Sequence, residues 1–506
     1  MEKPLSLARL LGYLSWESVQ QGLFHRRAWV RTLTVVALCL AGAIPVGAVI
    51  GLLGALYGSA LLIALAVGYL MLRSTLVGLI AVIGVICLLP FAALPVNIGF
   101  SPTLLDLALL ALFFVWLSRL AAHQDGQFIA EAPTLPVLAF VALSMVSFIA
   151  GLSHSPLTAN VLRHFVEILL SVLVFLLVIN TIRTKAQLKL AILVLILAGF
   201  AAALIGVVLY YLPNTLTIRL LSALRVVRYP TGADVLRYIE DNPELPLRAT
   251  STSVDPNVLG GMLIFVTTIT SAQALTKRPL LPRVLLIGMV GVMALCMILT
   301  YSRGSFAGMA VALVFMGLLR YRRALWVVLV LVAVLLLVPA GQAYVQRFVA
   351  GVQGEDLAMQ MRFGEFKDAF ILIRRYPWFG VGFAGTPDID TYLGVSNVYL
   401  LIAEEMGVVG LLAFLVAVGR FLVGFIATML RPVRDAELEP ILLGTCLAIA
   451  GALVGGTLDH YLFNLDFPHA AALLWITVGL GTVSIRLVRE SRAEASPRGP
   501  SGVPSG

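Results

Sequence analysis

Three arginines stand out among the residues able to do chemistry, because each lies where a long apolar run meets a loop. They are Arg248 in "LRATSTSVDPNVLGGML", Arg303 in "TYSRGSFAGM" and Arg362 in "MRFGEF". A guanidinium at the mouth of a membrane span calls for an anion. Its planar fork gives two parallel charge-assisted hydrogen bonds that match two phosphate oxygens, where lysine would offer a point charge. Asp255-Pro256-Asn257 reads as the N-cap and first turn of the next span, and a helix start presents free N–H groups to negative ligands. These features predict a pocket for a diphosphate at the outer membrane surface, with Arg163 as a fourth cation on the same side. Ser302, Gly304, Ser305 and Gly308 around Arg303 are also small enough to let two helices approach closely, a purely structural reason for their presence.

Proton transfer has fewer candidates. "GGTLDHYLFNLDFPH" puts Asp459 and His460 at the outer end of the next-to-last span. A carboxylate beside an imidazole can hold its tautomer and raise its basicity, although adjacent residues need not touch through their side chains. Glu404 and Glu405 in "VYLLIAEEMG" are a second choice of base, with local capping or pairing as the alternative. No Cys or His pair has metal-ligand spacing, and there is neither a Gly-Lys-Ser/Thr phosphate loop nor a nucleophile elbow. Asp388-Ile389-Asp390 has the spacing of a metal-held nucleotide-sugar site but reads as a solvated acidic turn. No metal and no cofactor is expected.

The elements that must position these groups follow from composition. Of 506 residues 60% are hydrophobic and 12% charged, and the mean hydropathy is +1.00. Soluble domains carry about a quarter charged residues. A span needs about 20 apolar residues, and such runs recur from Thr32 almost to the end. The expected fold is therefore an all-α polytopic membrane protein with about 12–14 transmembrane helices, the spans lying near 32–53, 56–72, 76–94, 103–118, 134–152, 165–182, 190–211, 257–276, 284–301, 305–319, 324–340, 408–429, 440–458 and 470–487. The formal charge of +9 is scattered in short basic clusters between apolar runs, which speaks for a lipid bilayer as partner and against nucleic acid. Cys39, Cys87, Cys296 and Cys446 all lie in apolar runs and read as core.

Lys and Arg in short loops fix the sidedness. "HRRAWVR", Arg73, Arg119, "TIRTKAQLK", "TKRPLLPR", "RYRRA", "RPVR" and "IRLVRE" fall on one face, which predicts cytoplasmic termini in a bacterial inner membrane and an external, periplasmic site. No cleavable signal peptide is expected. The organisation then reads as an amphipathic cytoplasmic segment at 1–31, spans over 32–211, an external loop at 212–256, spans over 257–340, a large external loop at 341–406, spans over 407–487 and a disordered tail at 488–506. "ADVLRYIE" and the stretch holding Phe363, Phe366, Phe370 and Ile373 predict amphipathic helices lying on the membrane within those loops.

The blocks "LRATSTSVDPNVLGGMLI", "LTYSRGSFAGMAVAL", "MRFGEFKDAFILIRRYPWFGVGFAG" and "SNVYLLIAEEMGVVGLLAFL" resemble, in that order, the signature blocks of the O-antigen ligase and O-antigen polymerase superfamily. The likeness runs from about residue 247 to 480. It implies a metal-independent, GT-C-like helical glycosyltransferase that takes a glycan from an undecaprenyl diphosphate donor and joins it to a surface acceptor, whether lipid, protein or glycan. It also implies that Arg248, Arg303 and Arg362 bind the diphosphate, with Asn257, Ser396, Asn397 and Tyr399 near the substrate. The family places a catalytic histidine directly before an asparagine and then a Gly-x-x-Gly; here Asn397 and Gly407-Val408-Val409-Gly410 fit, but Ser396 stands at the histidine position. His460 is the expected substitute. A ligase acting with inversion is the leading reading, a polymerase of carrier-linked repeats the second, and a transporter or flippase of an anionic or lipid-linked substrate the third; no internal repeat of the transporter kind is evident.

Overall fold

The computed structural model describes residues 20–21, 23–97, 99–123, 127–153, 156–337, 342, 357–385 and 394–495. The expected amphipathic segment before residue 20, the Asp388 and Asp390 pair and the tail from 496 lie outside the described residues. The chain divides into two compact units at Arg73 and Ser74. In the first, α1 (Ala28–Arg73) joins the first two expected spans into one helical run that breaks at Gly54, with φ 78° and ψ 162°. Cys39 is exposed on it, whereas the other three cysteines are buried.

The second unit is helical almost throughout. Its elements are α2 (Thr75–Leu88), α3 (Leu104–Ala121), α4 (Thr134–Gly151), α5 (Ala159–Thr181), α6 (Lys185–Tyr211) and α7 (Asn214–Ala223); then α8 (Pro256–Leu275), α9 (Arg283–Leu299), α10 (Arg303–Leu319), α11 (Arg323–Leu337) and α12 (Leu357–Arg375); and finally α13 (Val398–Met429), α14 (Leu438–Gly455) and α15 (Pro468–Ala495). Among the described residues nine helices are long and apolar enough to cross a membrane, and α2, α9 and α10 are shorter apolar helices of 14, 17 and 17 residues. The molecule is an all-α polytopic membrane protein. In lipid every backbone group must be paired internally, and helices satisfy that without a partner strand.

Two helices, α8 and α15, are enclosed on nearly all sides and form the centre of the bundle. α8 packs on α9, α10 and α14, and α15 packs on α5, α13 and α14. α10 and α14 cross through reciprocal small-residue pairs, Gly304 and Gly308 on one and Gly451 and Gly455 on the other. A Cβ added at Gly451 would stand 2.6 Å from the Gly308 carbonyl oxygen, and one at Gly308 would strike the Gly451 carbonyl. With lipid as apolar as the side chains, such close backbone approach is what drives helix association.

The segments expected to be external differ in part from expectation. The helix expected over "ADVLRYIE" is absent: a 3-10 turn at Gly232–Val235 leads into β1 (Arg237–Tyr238), which pairs antiparallel with β2 (Leu247–Arg248), Arg237 facing Arg248. Pro230, Pro243 and Pro246 flank the stretch and Glu240 and Asp241 take positive φ, so an α-helical run has no room. The expected helix around Phe363 is present as α12. Helix α13 starts ten residues before the expected span, because 398–407 is helical and joins it across a break at Gly407.

Candidate functional site

Asp255 caps α8 as its sequence predicts: its Oδ1 accepts from the N–H groups of Asn257 at 2.7 Å and Val258 at 3.0 Å, with Pro256 in the first turn. Just upstream, β2 brings Arg248 against the end of α9. Its Nε donates to the Thr300 carbonyl at 2.8 Å and an Nη donates to Asn257 Oδ1 at 2.6 Å, so two bonds fix the guanidinium plane. Asn257 thus orients an arginine. Thr300 also closes α9, one turn before Arg303 opens α10.

The second strand of the site is the 456–467 turn between α14 and α15. The glycine crossing seats Arg303 beside it, because Gly304 meets the Gly455 carbonyl and Leu458, a Cβ there falling 3.1 Å from each. The start of α13 is tied to the same turn: the Val398 N–H donates to the carbonyls of Gly456 at 2.9 Å and Asp459 at 3.0 Å, and Asn397 Nδ2 donates to the Thr457 carbonyl at 2.9 Å. Asn397 Oδ1 meanwhile caps α13, accepting from Tyr399 and Leu400 N–H, and Tyr399 Oη donates to the Leu453 carbonyl at 2.8 Å. Helix α12 docks on this junction through Phe366 and Ala369 against Val395 and Leu401, and Glu365 Oε2 accepts from the Ser396 N–H at 2.9 Å. Arg362 lies one helical turn before Phe366. Its charge acts on Asp459.

Three half-buried arginines from separate segments are thus linked, directly or through one neighbour, to this region: Arg248 is anchored at Thr300 and Asn257, Arg303 precedes the Gly304 that packs on Gly455 and Leu458, and the charge of Arg362 acts on Asp459. Burial pushes the Asp459 carboxyl above the usual carboxylate range; His460 and Arg362 pull it back, while Asp255 adds to the rise. Asp459 Oδ1 accepts the backbone N–H of His460 at 3.0 Å, so the carboxylate holds the main chain. The imidazole is held by a residue not anticipated from sequence, Asn464, whose amide meets Nδ1 at 2.7 Å while its Oδ1 accepts the Asp466 N–H at 2.7 Å. That amide orientation makes Nδ1 an acceptor, and the neutral ring then carries its proton on Nε2.

Two further expected site residues sit deeper in the bundle. Arg163 is buried in the first turns of α5, where it contacts Asp106 Oδ2 at 2.8 Å and Glu167 Oε2 at 3.1 Å, its side chain only 10% exposed. Asp106 and Glu167 hold it there, and His164, which its Nη2 meets at 2.6 Å, reaches the Leu465 carbonyl at 2.8 Å and so links Arg163 to the site turn from behind. Glu404 is buried well inside α13, at the helix break. Its carbonyl and that of Glu405 accept from Val381 and Gly382 N–H, and the Val408 N–H donates to the Pro377 carbonyl at 2.8 Å. Ser147 of α4 donates to the Phe379 and Glu405 carbonyls, so the Tyr376-Pro377-Trp378-Phe379-Gly380 strap splints the break.

Residues 288–415 match the family model described as O-antigen ligase. This match supports the O-antigen ligase/polymerase superfamily for that part of the chain. The matched domain holds Arg303, Arg362, Ser396, Asn397, Tyr399 and Glu404, while Arg248, Asn257, Asp459 and His460 lie outside it and are joined to it by the bonds just described. No curated protein matches the chain.

Proposed function

We propose that this protein is an O-antigen ligase-type glycosyltransferase that moves a glycan from a polyprenyl diphosphate carrier to a hydroxyl acceptor at the external membrane face. The observation that supports it is that the segments carrying Arg248, Arg303 and Arg362 are tied, by the Arg248 bonds, the Gly304 packing and the charge felt at Asp459, to one end of the bundle. In this reading the guanidiniums stabilise charge as it develops on the departing diphosphate, and Arg248, already held by two bonds, needs little reorganisation to do so. The acceptor oxygen attacks the anomeric carbon, the C1–O bond to the diphosphate breaks with its electron pair going to that oxygen, and the configuration inverts. His460, with its proton on Nε2, donates to the leaving diphosphate oxygens. Asp459 takes the acceptor's proton, its raised pKa bringing it nearer the operating pH, where a general base works best.

Arg248→Ala and Arg362→Ala are expected to abolish transfer from a lipid-linked oligosaccharide while expression and membrane insertion stay intact. Near-normal turnover in both variants would reject the diphosphate pocket. A single added glycan on the acceptor supports ligation, whereas a ladder of repeats would reassign the enzyme as a polymerase.

A further inference from the structure

A second set of arginines sits at the other end of the same helices. α9 ends beside Arg248, where the Ala249 N–H donates to the Leu299 carbonyl at 2.8 Å, and begins at Arg283. α10 begins at Arg303 and runs away from the site toward Arg323, the first residue of α11. Seventeen helical residues at about 1.5 Å each span about 25 Å, close to the hydrocarbon thickness of a bilayer. Between α8, α9, α10 and α11 lies a cavity of about 400 Å³, mostly apolar, lined by Ile287, Met309, Thr267, Ser271, Arg283 and Arg323 among others. Two guanidiniums at one end of a mostly apolar cavity suit an amphipathic ligand with an anionic head.

From these features we infer that the cavity binds one anionic glycerophospholipid of the leaflet opposite the Arg248–Arg303–Arg362 site. The phosphate lies between Arg283 and Arg323 and an acyl chain fills the apolar part. The volume falls in the range of about 300–1,000 Å³ typical of small-molecule sites. Arg283 is already held in place, an Nη donating to the Thr276 carbonyl at 2.6 Å. The site is separate from the proposed transfer reaction and does not depend on it.

Native mass spectrometry of the purified full-length protein provides the test, with dioleoylphosphatidylglycerol, dioleoylphosphatidylcholine and undecaprenyl phosphate as probes. The wild type should retain phosphatidylglycerol at least fivefold more tightly than phosphatidylcholine. The Arg283→Ala/Arg323→Ala variant should lose tenfold or more of that binding. Gly291→Trp, at a cavity-lining position whose Cβ direction is open, should lose it with both arginines in place. Equal binding of the two phospholipids, displacement of phosphatidylglycerol by undecaprenyl phosphate, or wild-type binding by either variant would overturn the inference. The comparison of probes on the wild type needs no variant to fold.

Discussion

Asn257 controls Arg248 through one short bond at 2.6 Å, and the Thr300 carbonyl supplies the other anchor. A hydrogen bond to a charged group contributes about 1.5–3 kcal/mol. Asn257→Ala should therefore lower kcat/KM for transfer by roughly ten- to a hundredfold, and Asn257→Asp should not rescue it fully, since a carboxylate there would compete with the diphosphate for the guanidinium. Asp459 gives a pH prediction. Its folded-state pKa is raised by burial, so between the ordinary carboxylate pKa and the folded one the native state holds more protons than the unfolded chain, and stability falls as pH rises through that window. Asp459→Asn keeps an acceptor for the His460 N–H, and thermal unfolding should show this pH dependence flattened while transfer is lost. At this scale the sequence was legible where partners are neighbours: the Asp255 cap follows from an Asp-Pro-Asn order. It was silent where partners are distant. The partner of Arg163 on α3, Asp106, is 57 positions away and nothing in the order of residues points to it. Asn464 escaped notice because an asparagine four residues past a histidine in a turn carries no pattern of its own.

At the scale of elements, the α10–α14 crossing places Arg303. Gly451→Leu should drive the helices apart, lowering stability by about 1–3 kcal/mol as overpacking does, and reducing transfer further than the lost stability accounts for. Thermal shift and turnover measured on the same preparation would separate the two, and unchanged turnover would detach the crossing from the site. Apolar periodicity alone located most helices of the second unit within a few residues, since the bilayer demands long uninterrupted runs. It failed where loop chemistry takes over: "ADVLRYIE" has helical spacing, yet the prolines around it impose a short hairpin. Helix α12 exposes Phe363, Phe370 and Trp378 just beyond its end, at 56%, 53% and 68%, in keeping with an interfacial position. Phe363→Glu with Phe370→Glu should weaken transfer without unfolding the bundle.

For the whole molecule the question is which end faces which side. The basic clusters lie at the end where Lys185 and Lys189 grip Asp435 and Glu437 at 2.6–2.8 Å, and Arg320 pairs with Glu439. The arginine site lies at the other. In a background where the exposed Cys39 is serine, Thr457→Cys should react with a membrane-impermeant maleimide added outside intact cells, and Lys277→Cys only after permeabilisation. The reverse pattern would invert the orientation and bring the site to the wrong leaflet for an external acceptor. Charge distribution predicts this sidedness from the sequence alone, whereas the ties of Arg248 to Thr300, of Gly304 to Leu458 and of Val398 to Asp459 required coordinates.

The break in α13 has a bearing on how the chain reaches this arrangement. Gly407 has φ 70°, and a Cβ there would run into the Trp378 carbonyl. The bond that Val408 would have given Glu404 is divided, its donor taken by Pro377 and its acceptor by Val381. A helix so interrupted could not enter hydrocarbon alone with those groups bare. Residues 377–382 precede 404–408 in the chain, so the segment that supplies these partners is synthesised before the groups it satisfies.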